Sequence, residues 1–115
     1  MLTAGKALKV SIYLNEASRH HGVASEAAIL DFLFFHKVAG AAVFKGVAGF
    51  GAEHHLHTAS LVELSDRLPV KVEFVEAQAK VDELMPKLME LAGTGMIEVQ
   101  ETMVVKAATS ARPVE

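Results

Sequence analysis

Residues 69–92, PVKVEFVEAQAKVDELMPKLMELA, change their hydrophobic period part-way along, and that change decides the fold class. Val70, Val72 and Phe74 alternate with Lys71 and Glu73, the period of two that marks a strand with one covered face. From Ala77 the period lengthens. Val81, Leu84, Met85, Leu88, Met89 and Ala92 stand at i, i+3, i+4, i+7, i+8 and i+11, which predicts an amphipathic helix over 77–92. Pro86 lies inside that pattern and removes one helical hydrogen bond, so a bend is expected there. Gly93 and Gly95 end the helix, and Met96 to Lys106 reads as the strand that follows.

The first half of the chain repeats this plan. Leu8, Val10, Ile12 and Leu14 alternate with Lys9, Ser11 and Tyr13, a half-buried strand. Asn15 to Gly22, NEASRHHG, is polar and reads as a loop. Ser25 is placed to cap a helix running through Val38, with Glu26 in its first turn and Gly40 as its stop. Ile29, Phe32, Leu33 and His36 follow helical spacing, and Phe34 and Phe35 widen the apolar surface beyond one stripe. Ala41 to Val47 is a second strand, rich in β-branched and aromatic residues. The order β-α-β-β-α-β predicts an α+β, ferredoxin-like fold: a four-stranded antiparallel sheet with both helices on one face. Residues 1–115 read as one domain, with a core over 8–106 and a loose tail from 107 to 115. One sheet face then lacks a cover. Outward Tyr13 and Val75, and the open sheet edges, predict an oligomer.

Composition narrows the function classes. The chain has 115 residues, 51% hydrophobic and 22% charged, with a formal net charge of −3. No cysteine is present, which excludes disulfides, thiol nucleophiles and cysteine-ligated metals. Acid is concentrated in the second half: Glu73 to Glu101 holds seven acidic residues against Lys80 and Lys87. No basic stripe exists, so no nucleic-acid partner is expected. No apolar run is long enough for membrane insertion, and residues 1–9 lack the apolar core of a signal peptide. A cytoplasmic location follows by default.

The densest functional segment is residues 45–58, KGVAGFGAEHHLHT. Gly46, Gly49 and Gly51 permit close approach of a ligand to the backbone, or serve a bulged hairpin entry that needs glycines to turn. In an extended chain Glu53, His55 and His57 fall on one face while His54 points away, a donor set suited to a divalent metal. A solvated, histidine-rich loop gives the same pattern. His20 and His21, beside Arg19, read as exposed, and His36 as a packed, hydrogen-bonded core histidine. Glu83, Glu90, Glu98 and Glu101 fit a solvated face, and Phe32, Phe34 and Phe35 fit core and subunit packing. Ser60 and Ser65 lack the strained elbow of a nucleophilic serine. No catalytic set is visible, and the chain reads as a non-enzyme.

Gly49-Phe50-Gly51, the restart at Leu68-Pro69 with its alternating strand to Val75, and Thr94-Gly95 followed by Ile97 resemble the PII signal-transduction superfamily. The resemblance is closest to the PII-like domain-of-unknown-function 190 family, with its G-x-x-G-F-G hairpin, histidine-threonine pair and L-S-x-x-L-P segment. Gly46 to Gly51, His57-Thr58 and Leu64-Ser65-Asp66-Arg67-Leu68-Pro69 reproduce all three. Element order matches over residues 8–106.

The resemblance implies a homotrimer with ligand clefts between subunits, an adenine nucleotide as ligand, and a loop that reports occupancy to a membrane transporter or other regulated protein. Gly49, Phe50 and Gly51 would then shape the cleft together with Gly46. Lys45 and Lys71 would contact an anion, and His57 would supply a polar contact. Two departures bear on the ligand. Where PII proteins carry glycine-aspartate-glycine-lysine, this chain has Glu98-Val99-Gln100-Glu101, and Ala52 replaces the usual basic residue after the hairpin. Two glutamates beside a triphosphate would repel it, so a ligand of lower charge is expected. The alternative reading is a divalent-metal trimer of the same fold, using Glu53, His55 and His57.

Overall fold

The computed structural model describes residues 1–15, 17–51, 57–58 and 68–109. Four strands form the main sheet: β1 (Gly5–Asn15), β4 (Ala41–Lys45), β7 (Pro69–Glu76) and β8 (Met96–Val104). Their order is β4-β7-β1-β8, and every neighbouring pair is antiparallel. Helices α1 (Ser25–Phe35) and α2 (Gln78–Ala92) make the two crossovers. This is the ferredoxin-like arrangement.

Alternation in the two central strands builds the core. Val10, Ile12 and Leu14 of β1 and Val72 and Phe74 of β7 point to one face. There they meet Ile29 and Leu33 of α1 and Val81, Leu84, Leu88 and Leu91 of α2. Each fully buried aliphatic side chain of this kind contributes about 1.5–3 kcal/mol relative to exposure. On α2 the buried ridge is steeper than the spacing suggested: Leu91 is buried and Met89 is 62% exposed. Pro86 sits within α2, where the helix continues past it to Ala92.

Several boundaries differ from expectation. Ser25 is the first residue of α1 rather than its cap. It is buried, and its N–H donates to the Ser18 carbonyl at 3.0 Å. The expected loop 15–22 contains a short hairpin, β2 (Arg19–His20) pairing with β3 (Val23–Ala24). Helix α1 stops at Phe35 instead of Val38. Lys37, at φ 59°, takes the left-handed position, while the N–H groups of Lys37 and Val38 donate to the carbonyls of Phe34 and Leu33. Gly40, the expected stop, lies beyond this turn. Downstream, β4 ends at Lys45 and β8 at Val104, each two residues short of the expected span.

Behind the turn sits Glu76, a buried carboxylate at the end of β7. Its Oε2 accepts the Ala39 N–H at 2.6 Å and its Oε1 accepts the Ala77 N–H at 3.3 Å. One side chain therefore anchors both the α1–β4 connection and the entry to α2.

The sheet face away from the helices is more polar than Tyr13 and Val75 suggested. Ser11 Oγ donates to Glu73 Oε2 at 3.2 Å, and Tyr13 OH donates to Glu98 Oε1 at 3.1 Å. The larger apolar exposure is on α1, where Phe34 and Phe35 stand 77% and 75% exposed in edge-to-face contact. His36 is exposed too, its ring tilted against Phe32 with centroids 4.4 Å apart, because the early end of α1 removes it from the core.

A non-glycine residue in the left-handed region costs about 1 kcal/mol. Lys37→Gly is therefore expected to raise unfolding free energy by roughly that amount, read as a shift in urea midpoint at unchanged slope. A lower midpoint would show that the Lys37 side chain, not its backbone conformation, sets the balance.

Candidate functional site

Strand directions collect the functional segments at one end of the sheet. The register pairs Asn15 with Pro69, Tyr13 with Met96 and Lys45 with Val70. The end of β4, the start of β7, the α2–β8 turn and the hairpin β2–β3 thus share that end.

The glycines there face a proline. Gly46 N–H donates to the Pro69 carbonyl at 2.8 Å. A Cβ on Gly46 would stand 2.7 Å from Pro69 Cγ, and one on Gly49 would stand 3.0 Å away. The first contact is too short for a side chain and the second is at the limit, so the ring packed on the backbone favours glycine at both positions of G-x-x-G. Just beyond, β5 (Ala48–Gly49) pairs with β6 (His57–Thr58), with Gly49 opposite His57. Residues 46–49 are thus held by the Pro69 contact and by pairing with His57–Thr58. A Cβ on Gly51 would meet open space, and Phe50 is 62% exposed.

The two candidate lysines leave opposite faces of the sheet. Lys71 is paired with Phe44 and lies on the face away from the helices, whereas Lys45 is paired with buried Val70 and leaves the helix side. One protomer does not bring them together. Lys71 is also engaged already: its Nζ lies 3.3 Å from Glu73 Oε2 and 5.1 Å from the Phe44 ring centroid. Burial pushes the Glu73 carboxyl up. Hydrogen bonds from Lys71 and Ser11, with the charges of Lys71 and Lys9, outweigh it and hold the group below its ordinary value.

Across the sheet, the α2–β8 connection is three residues long. Gly93 adopts φ 57° and its N–H donates to the Glu90 carbonyl. Gly95 presses on β1: a Cβ there would lie 2.6 Å from the Tyr13 carbonyl oxygen. That contact forces β8 to begin at once, at Met96. Glu98 and Glu101 consequently lie within a strand, not in a turn. Glu98 is held by Tyr13 on the uncovered face. Glu101 lines a separate cavity of about 420 Å³ with Lys6, Gln78 and Met103 at the far end of the sheet. The expected pair of repelling glutamates at the turn is therefore corrected: Glu101 is not there.

Beside the turn runs an apolar groove of about 430 Å³, lined by Met85, Met89, Ala92, Gly95, Ile97 and Val99. Sequence reasoning did not single it out. Its signal was present as apolar residues, Met89 and Val99, at positions that the core does not use. Of the metal candidates, Glu53 and His55 lie outside the described residues, and His57 is placed by its backbone pairing with Gly49. Among the described residues, no three histidine, aspartate or glutamate side chains are gathered to hold a metal ion.

The profile of the DUF190 family, described as an uncharacterized ACR, matches residues 7–104. The chain belongs to the DUF190 family. The UPF0166 protein of Methanocaldococcus jannaschii is 30% identical over 105 residues, which is 90% of this chain and 96% of that one. Among solved structures, the fold resembles CPII from Thiomonas intermedia K12, a nitrogen regulatory PII-like protein bound to ADP, AMP and bicarbonate. The TM-score is 0.61 at 16% identity, covering 92% of this chain and 94% of that one. CPII bound to ADP, AMP and acetate gives a TM-score of 0.62 at 15% identity, with 90% and 92% covered. At such identities the likeness establishes a PII-like fold for this DUF190 member. No helix among its described residues is long and apolar enough to cross a membrane.

Steric contact at Pro69 gives a direct test of the loop base. Gly46→Ala should cost about 1–3 kcal/mol of unfolding free energy, and Gly51→Ala should cost little. Adding Pro69→Ala to Gly46→Ala should restore part of the loss, measured as non-additivity in denaturant unfolding. Equal effects at Gly46 and Gly51 would mean that the ring contact is not the constraint.

Proposed function

We propose that this DUF190 protein is a PII-like trimeric sensor, not an enzyme, that binds a small adenine nucleotide at clefts between subunits and signals through the segment following Gly49-Phe50-Gly51. One observation carries this reading: the clasped loop base and the grooved α2–β8 turn lie at the same end of the sheet. They flank opposite sides of it, so a neighbouring subunit is needed to bring a loop base against a groove. The apolar groove suits a purine ring, and Lys45, Gly46, Gly49, Phe50, Gly51, His57 and Lys71 remain the residues proposed to complete the cleft. The PII-like fold, and CPII's occupation by ADP and AMP, support the ligand class.

Phosphate charge sets the order of affinities. The turn is Gly93-Thr94-Gly95 with no lysine, and Lys71 is shared with Glu73. Each uncompensated phosphate charge near Glu98 at a partly solvated site costs on the order of 1 kcal/mol. AMP should therefore bind at least about fivefold more tightly than ATP without magnesium, with Lys45→Ala weakening both. Calorimetric titration of AMP and ATP, with and without magnesium, reads this order. Tight magnesium-free ATP binding that survives Lys45→Ala and Lys71→Ala would place the site elsewhere.

Assembly has its own test. Among the described residues no strand pairs with the outer edge of β4 or β8, and β4 is exposed along its whole length. Sedimentation equilibrium at micromolar concentration should give three times the 12.3 kDa chain mass. A single 12.3 kDa species would remove the clefts and with them the proposed function.

A further inference from the structure

We infer that the β2–β3 hairpin is a proton-controlled clamp on the last turn of α2, closing when His20 is protonated and thereby regulating the α2–β8 turn of the proposed cleft. This rests on the reading of that turn as part of the ligand site. The hairpin is an addition to the four-stranded plan, inserted between β1 and α1. Its base is fixed. Asn15 accepts the Ala17 N–H through Oδ1 and the Ser18 N–H through its carbonyl, and the Ser25 N–H donates to the Ser18 carbonyl. Its tip turns through His21 at φ 51° and Gly22 at φ 81°. A left-handed residue breaks the usual alternation of side chains, and His20 and His21 come into edge-to-face contact with centroids 4.3 Å apart.

The tip reaches α2. His20 Nε2 stands 3.7 Å from Glu90 Oε2, and the His20 side chain is only 21% exposed. That separation exceeds a hydrogen bond, so the neutral imidazole makes a contact and the imidazolium makes an ion pair. Glu90 is also the residue whose carbonyl accepts the Gly93 N–H, so the clamp acts on the first residue of the turn.

Other charges around the pair define the competition. Lys87 Nζ lies 3.0 Å from the same Glu90 oxygen, so the carboxylate is present at neutral pH and shared. The Lys87 hydrogen bond and charge, followed by His20 and His21, hold the Glu90 carboxyl below its ordinary value. On the hairpin itself, Arg19 donates through Nη1 to the Ser18 carbonyl. Helix α1, packed on both hairpin strands, carries Glu26 in its first turn and Asp31 in its second. Of the groups named here around Glu90, histidine is the residue type whose charge can change near neutral pH.

Amide hydrogen exchange on the full chain, corrected for intrinsic rates, reads the clamp at pH 5.5 and 8.0. Protection across residues 19–24 and at Gly93 and Gly95 should be about threefold higher at the lower pH. Glu90→Gln and His20→Gln should each abolish that difference, while Lys87→Met, which removes the competitor, should keep or enlarge it. Thermal unfolding at pH 8.0 confirms that the surface variants are folded. Equal protection at both pH values in the unsubstituted protein, or an undiminished difference in Glu90→Gln, would overturn the inference. AMP titrated at both pH values separates the two readings. Absence of AMP binding removes the nucleotide cleft, whereas the exchange result decides the clamp by itself.

Discussion

Everything in this molecule hangs on β1 being paired along both edges. With β7 on one side and β8 on the other, β1 has its backbone groups satisfied and needs only to bury one face. Val10, Ile12 and Leu14 do so against both helices at once. A one-residue slip in either pairing would turn that face to solvent, so the register is fixed by the core. The same register fixes which loops meet. Asn15 opposite Pro69 and Tyr13 opposite Met96 gather the hairpin, the loop base and the α2–β8 turn at one end.

Close contact, rather than flexibility, explains the glycines that matter. Gly46 and Gly49 lie under the Pro69 ring, and Gly95 lies against the backbone of Tyr13. In each case a side chain would press on its neighbour, most severely at Gly46 and Gly95, so close backbone packing favours glycine. A close-packed segment against Pro69 and a tight turn beside an apolar groove are the consequences. Charge is arranged with similar economy. Lys71 is spent on Glu73 and Phe44, and Glu98 on Tyr13, so the uncovered sheet face is cross-linked rather than left as a bare cationic or anionic surface.

The glycine segment, the restart at Pro69 and the order of elements were legible because each is a local pattern. The period of two in β1 and β7 and the period near 3.6 in α2 report which face is buried, and that alone selects the ferredoxin-like plan. Helix ends were less legible. The Val38 N–H reaches back to Leu33, so α1 closes on Lys37 before the glycine that looks like its stop. His36 shifts from core to surface for the same reason. Met89 and Leu91 exchange places, since the spacing does not encode which ridge of α2 meets the sheet.

The sequence by itself determined the class of fold, the family motifs and the absence of cysteine thiols, since these depend on residue type and near-neighbour spacing. Tertiary structure alone decided the partners. It set Gly46 against Pro69, sent Lys45 and Lys71 to opposite faces, carried Glu101 to the far end of the sheet, and brought His20 to Glu90. Those contacts join residues far apart in the chain. Hydrophobic periodicity states only that a face is buried, whereas strand register and helix packing decide what it meets.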